Sequence, residues 1–255
     1  LGSINNKKKF LYDGGRPSSL DDLPLPAWHL LEQDLYSNNI LEEYIKTPIW
    51  GLDAKNSSAA PFTMKRSLNT VSSRGCPFAC KFCFRGAQGE RNYGIRSADN
   101  IAHELDFFTK KYNIDFMGFV DDNFAVSRKR IDDLYSSMRP ILEEYNLKWG
   151  THARLDEAAD ITGITNGKVA LKKPLRVNEM AKSGCIYIGF GAESANTKVL
   201  DEMGKGGFIL RDGTKDFSGY KLPFSMMEGI RNTHYSGIHA NCTWIMGYPG
   251  EGLEE

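Results

Sequence analysis

Apolar runs of strand length alternate with helix-spaced apolar patterns along most of the chain, and this alternation constrains the fold more than any other feature. Leu68 to Ser72, Ile114 to Val120, Leu147 to His152, Cys185 to Phe190 and Ile238 to Met246 read as five strands. Ser97 caps a helix that carries Ile101, Leu105, Phe108 and Tyr112 on one face. A second helix presents Ile131, Leu134, Met138, Leu142 and Tyr145, with Pro140 placed to kink or split it. Val177 to Lys182 (closed by Gly184), Thr197 to Met203 and Ser225 to Thr233 supply the remaining helices. Such repetition builds parallel βα units, so the class is α/β. Residues 156–176 are less regular, with a surface loop over Thr162 to Lys168, and the glycine-rich Gly204 to Tyr220 reads as an inserted loop. Residues 1–66 are irregular. They hold a proline-stiffened connector at Asp21 to Trp28, a short helix over roughly Trp28 to Tyr36, and a loop at Asn56 to Ala60.

Composition narrows the setting. A chain of 255 residues with 41% hydrophobic and 25% charged residues has globular proportions and enough length for a sizeable core. The 32 basic residues balance the 32 acidic ones, so no global field drives nucleic-acid binding. No apolar run reaches the length of a membrane span, and no apolar stretch follows the polar Leu1 to Lys9 as in a signal peptide. A cytoplasmic protein is the expectation.

The five cysteines are an odd number, and Cys76, Cys80 and Cys83 fall within eight positions. That is no disulfide framework, and in a reducing compartment it points to a metal or cluster. Cys185 and Cys242 stand alone as buried, inert thiols. Three thiolates on one tight loop hold three corners of a cubane iron–sulfur cluster and leave one iron open. Pro77 restricts the loop, while Phe78, Phe82 and Phe84 are placed to exclude water. Zinc is the competing occupant, but a structural zinc site takes four ligands. His103, a candidate fourth, falls inside a helix.

Polar residues follow the other strands directly: Asp121 and Asp122, Arg154, Glu193, and Gly247-Tyr248-Pro249. In parallel barrels such positions gather at one mouth. Taken singly, each is also what any loop contains. Arg154 has a plain alternative as a salt bridge with Asp156 or Glu157. His152 serves either packing or a substrate-facing role, and Tyr187 and Trp244 read as core.

The cysteine spacing, with aromatic Phe82 before the last thiol, resembles the signature of the radical S-adenosylmethionine (SAM) superfamily. Asp22 to Trp28, Ser73 to Phe78, Phe119 to Phe124, Gly189 to Ser194 and Met246 to Glu251 resemble its subgroup with an amino-terminal cobalamin-binding domain. The resemblance runs from about Asp13 to the end of the sequence. It implies a partial (β/α)6 TIM-like barrel, here truncated after about the fifth strand. Residues 1–66 are then a linker after a missing domain, and 67–255 a core barrel incomplete at its carboxyl end.

The resemblance also implies a [4Fe-4S] cluster on Cys76, Cys80 and Cys83, with SAM chelating the fourth iron. An electron from the cluster would cleave SAM to methionine and a 5′-deoxyadenosyl radical that abstracts hydrogen from a small-molecule substrate. Phe82 would lie near the adenine, Glu193 and Ser194 near the ribose or polar end, and Arg154 at the carboxylate. Gly247 and Pro249 would shape the turn under the adenine. Asp121 and Asp122 stand where many relatives have Gly-Gly-Glu touching the SAM amino group; that motif is absent here. Cobalamin, held by a domain upstream, would serve methyl transfer, rearrangement or cyclisation, and a flavodoxin or ferredoxin would supply electrons. No Asp-x-His-x-x-Gly cobalt-ligating signature occurs in this sequence. The alternative is a non-catalytic iron–sulfur or zinc-binding module. An incomplete barrel is expected to melt below a closed domain; a sharp, cooperative, high-temperature melt contradicts that expectation.

Overall fold

The computed structural model describes the backbone of residues 3–4 and 10–11, and residues 17–33, 36, 38–46, 64–84, 92–165 and 168–252. The chain begins with a small antiparallel pair, β1 (Ser3–Ile4) and β2 (Phe10–Leu11), and helix α1 (Ile40–Lys46). The repeating part runs β3 (Ser67–Thr70), β4 (Ser73–Gly75), β5 (Tyr93–Ile95), α2 (Ala98–Tyr112), β6 (Phe116–Phe119), α3 (Arg128–Tyr145) and β7 (Lys148–Ala153). It continues with α4 (Leu155–Ala159), β8 (Ile161–Thr165), β9 (Lys168–Leu171), α5 (Arg176–Lys182), β10 (Cys185–Glu193), α6 (Thr197–Glu202) and α7 (Gly206–Ile209). The last elements are β11 (Thr214–Phe217), β12 (Tyr220–Pro223), α8 (Phe224–Tyr235) and β13 (His239–Trp244).

Five strands form one parallel sheet in the order β13-β10-β7-β6-β3. They are the five read from the sequence, and their spatial order follows the chain. A sheet wound in one direction is the wall of a barrel rather than a doubly wound sheet.

The helices start and stop where their caps dictate. Ser97 Oγ accepts the Asn100 N–H ahead of α2, and Asn113 ends that helix in the left-handed region at φ 51°. Ser127 and Asn146 do the same for α3. Pro140 neither breaks nor splits α3, because it sits on the exposed face, where a missing N–H is cheaply tolerated. Leu105, Phe108, Leu134 and Met138 of these helices meet Met117, Phe119, Ile188 and Phe190 of the sheet in one buried cluster.

The opposite face of the sheet is different. Met64, Phe116 and Tyr187 form a small plug near the amino ends of the strands. Beyond it lie Gly118, Gly150, Gly189 and Gly191, beside the polar Asn69, His152 and Asn241. These glycines let neighbouring groups approach closely: a Cβ at Gly189 would lie 2.7 Å from the His152 ring, and one at Gly191 would meet the Glu193 carboxylate.

Several local expectations are corrected. The helix expected over Trp28 to Tyr36 is a 3-10 turn, Trp28–Leu31, at the end of the proline-stiffened connector. That connector encloses a cavity of about 610 Å3 against Val71 and Val120, lined by Leu20, Leu23 and Trp28, with Arg74 also on its wall. The irregular first 66 residues contain α1, whose Leu41 and Ile45 are buried in the main cluster. Arg66 fixes that helix through a bidentate pair with Glu42 at 2.7 and 2.9 Å. Both expected loops are hairpins: β8 pairs β9, and the inserted segment holds α7 followed by the β11–β12 ribbon. Trp244 is 54% exposed rather than core. The Asn56 to Ala60 loop lies outside the described residues.

The plug yields a prediction. A methyl at Gly150 would lie 3.0 Å from Phe116 Cζ and 3.1 Å from Tyr187 Cβ. Gly150→Ala should therefore cost about 1–3 kcal/mol of unfolding free energy by overpacking. An unchanged urea midpoint contradicts the tight inner layer.

Candidate functional site at the carboxyl rim

The cysteine loop leaves β4 and returns in β5, which pair antiparallel from Ser73 opposite Ile95 to Gly75 opposite Tyr93. The ribbon fixes the ends of the loop. Gly75 has φ +100°, open to glycine, and turns the chain into Cys76. The Cys83 N–H returns to the Cys80 carbonyl at 3.1 Å, and the Lys81 N–H reaches the Met203 carbonyl at 2.8 Å. The second bond ties the loop to the end of α6.

All three thiols are free and partly buried. Burial pushes the Cys76 thiol up from its ordinary value, against the Phe78 amide and the Arg154 charge, which favour thiolate. Such a thiol gives up its proton when a metal takes its place. Among the described residues no three His, Cys, Asp or Glu side chains converge on one point, as a single ion requires. A cubane takes one thiolate per iron, so three free thiols on one loop fit an iron–sulfur cluster that keeps one iron open. His103, the candidate fourth ligand, is exposed on α2.

Arg154 follows β7 and is buried. Its Nε meets Asp156 at 2.9 Å, so the salt bridge foreseen as the plain alternative exists. Its guanidinium also stacks at 4.0 Å on Phe78, between the first two cysteines, and at 5.6 Å from Phe208 of α7. Nη2 is buried with no partner. An unsatisfied buried cationic donor costs about 1–3 kcal/mol, which a carboxylate at that point would recover.

At the end of β10, Glu193 adopts φ +65° and pairs with Lys205 at 2.9 Å, both buried. Lys205 also donates to the Gly191 carbonyl and lies 6.0 Å from the Phe82 ring centroid. A side chain at Gly191 would displace the Glu193 carboxylate and the Lys205 ammonium from this pair. Ser194 is buried, and its Oγ accepts the Asn196 N–H in the turn before α6. After β13, the Glu251 carboxylate closes the turn by accepting the N–H groups of Gly247 and Tyr248. Gly247 has φ +75° and Pro249 is exposed. The described contacts of this turn run to α6, through Tyr248 and Glu202, rather than to the cysteine loop.

Of the two carboxylates after β6, Asp121 is buried and Asp122 is exposed. Asp121 accepts from the Ser72 N–H, the Ser72 hydroxyl and the Ser73 hydroxyl. Asp122 accepts the Gly75 N–H at 3.0 Å. Of the aromatics expected to exclude water, Phe78 lies under Arg154, but Phe82 and Phe84 are 38% and 76% exposed. They leave too much ring surface in solvent to shield the loop.

Three participants went unread in the sequence, Lys205, Phe208 and Arg130, and Glu157 was read only as a salt-bridge partner of Arg154. The first two lie in the segment taken for an insertion. Glu157 carried a local signal, being three residues after Arg154, the spacing at which a carboxylate returns to cap a helix amide. It accepts the Arg154 N–H at 3.3 Å and the Asn123 side-chain N–H at 2.9 Å.

Burial, then the Asp156 charge, pushes Glu157 from 4.5 to about 7. A raised carboxyl favours the folded state while it keeps its proton, so stability falls as pH rises through that interval, by about 3 kcal/mol in all. Glu157→Gln should remove this slope, gaining on the wild type between about pH 5 and about pH 8. Parallel urea midpoints for the two proteins contradict it.

Comparison with known proteins places this rim in context. Residues 70–255 match the family described as the Radical SAM superfamily. An uncharacterized methyltransferase of Pyrococcus horikoshii is 26% identical over 237 residues, covering 93% of this chain and 40% of that protein. The cytidylyl-2-hydroxyethylphosphonate methyltransferase of Streptomyces wedmorensis is 23% identical, covering 92% and 37%. The structure of the cobalamin-dependent radical SAM enzyme OxsB with aqua-cobalamin and SAM superimposes with a TM-score of 0.64 at 17% identity, over 96% of this chain and 29% of that one. The chain thus spans well under half the length of the proteins it matches.

Proposed function

Because the chain belongs to the radical SAM superfamily, we propose that it forms the cluster- and SAM-binding core of a cobalamin-dependent methyltransferase. The observation that carries this reading is the pairing of three free thiols on one strand-end loop with a buried, unpartnered Arg154 nitrogen stacked on that loop. When bound, a reduced [4Fe-4S] cluster supplies the electron that cleaves SAM to methionine and a 5′-deoxyadenosyl radical.

The chain's own residues bind and orient. Cys76, Cys80 and Cys83 hold the cluster, and Arg154 Nη2 receives the SAM carboxylate. Glu193, held by Lys205, faces the ribose with Ser194 beside it, and Phe82 lies toward the adenine. Gly247 and Pro249 form the turn beneath it. The inner face of the sheet above Phe116 and Tyr187 carries Asn69, His152 and Asn241, polar groups suited to meeting a small-molecule substrate.

Methyl transfer is supported by the methyltransferase names of the relatives, and cobalamin by the fold shared with cobalamin-dependent enzymes. In this reading residues 1–66 lead from an upstream cobalamin domain into the barrel that begins near residue 67. A family match starting at residue 70 supports that boundary. The reading also places the protein in the cytoplasm, reduced by a flavodoxin or ferredoxin. Among the described residues no helix is long and apolar enough to cross a membrane.

Anaerobic reconstitution should load about four irons per chain. Addition of SAM and a reductant should then release 5′-deoxyadenosine and methionine, and Cys80→Ala should abolish both loading and cleavage. Arg154→Gln should load normally but raise the KM for SAM roughly tenfold, as expected for losing one charge-assisted contact. A protein that holds one zinc and never cleaves SAM contradicts the reading.

A further inference from the structure

We infer that Asp121 and Asp122 are positioning residues: they hold the base of the cysteine loop. The inference rests on the cluster reading above and extends it to residues whose family motif is absent.

Both Asp121 oxygens are engaged by the segment that leads into the first cysteine. Oδ1 accepts the Ser72 N–H at 2.7 Å. Oδ2 accepts the Ser72 hydroxyl at 2.6 Å and the Ser73 hydroxyl at 2.5 Å. Arg130 of α3 closes the network, donating Nη2 to Ser72 Oγ and lying 3.4 Å from Oδ2. Arg130 is itself fixed, with Nη1 on the Phe124 carbonyl at 2.6 Å and its plane 4.7 Å from the Phe124 ring. Ser72, Ser73, Asp121 and Arg130 are all buried.

Three hydroxyl or amide donors and a guanidinium thus converge on one carboxylate, three of them on Oδ2. Oδ2 holds two hydroxyls and the guanidinium and Oδ1 holds the Ser72 amide, so both oxygens of Asp121 are committed to the loop base. Asp122 adds a bond at the other end of β4, accepting the Gly75 N–H next to Cys76. Together the two residues hold β4 from both ends, Ser72 and Ser73 on one side and Gly75 on the other. Charge-assisted bonds in a dry interior are short and stiff, so the loop base is set before any cluster binds.

Two readouts test this, one of which needs no cluster. Ser73→Ala removes one donor to Asp121, and Asp122→Asn weakens the acceptor on Gly75; far-UV circular dichroism confirms that each variant folds. In the apo chain, trypsin cleavage after the exposed Lys81 should be roughly tenfold faster in either variant, because local opening of the loop becomes easier. After reconstitution, iron should pass to a chelator about tenfold faster, while the Kd for SAM stays within about twofold. Unchanged cleavage and iron release overturn the inference, as does a Kd for SAM that rises as much as iron release. Failure of the wild type to load iron would instead defeat the cluster reading, and the apo cleavage rates would still decide the positioning role.

Discussion

Parallel winding in one direction is the constraint on which the rest depends. Each crossover returns the chain to the same end of the sheet, so every strand delivers its carboxyl end to one rim. The residues there come from positions as distant as Cys76 and Glu251, yet they need no long-range recognition to meet. The helix-facing side of the sheet buries Met117, Phe119, Ile188 and Phe190, which supplies most of the apolar burial. The inner side is thereby freed from a packing role above its Phe116–Tyr187 plug and carries glycine and polar residues instead.

Electrostatics at the rim follow a simple division. Glu193 is neutralised by Lys205, and Asp121 by Arg130 together with two serines. Each pair is buried, where an isolated charge would be expensive, and each also ties a strand end to another element. Arg154 lies against the cysteine loop. Asp156 satisfies one edge of its guanidinium and Phe78 covers one face, but Nη2 is left without a partner beside the cysteine loop. A protein core tolerates such a group at sites that bind something, and a carboxylate is the complement its geometry calls for.

Much of this was legible because it is local or periodic. The five strands, the Ser97 cap and the cysteine loop each follow from spacing within a short window. Three kinds of feature were not legible. Lys205 sits in a glycine-rich stretch that reads as a loop, and only tertiary packing reveals that it meets Glu193. The β8–β9 and β11–β12 hairpins lie among polar residues with exposed strands, so alternation of burial leaves no mark. Asp121 and Asp122 were noticed for their place after a strand, but place alone could not show that they bond to Ser72, Ser73 and Gly75. Phe82 and Phe84 show the reverse error: aromatic character suggested burial, while the tight turn at Cys80–Cys83 carries both rings outward.

The central claim is that the three thiolates leave one iron open for SAM, with Arg154 beside it. Electron–nuclear double resonance on the reduced, reconstituted protein with SAM labelled with 15N at its amino group tests this most directly. The account predicts a nitrogen coupling on the cluster that is absent without SAM and weakened in Arg154→Gln. A cluster spectrum that shows no coupling and does not change when SAM is added would contradict it.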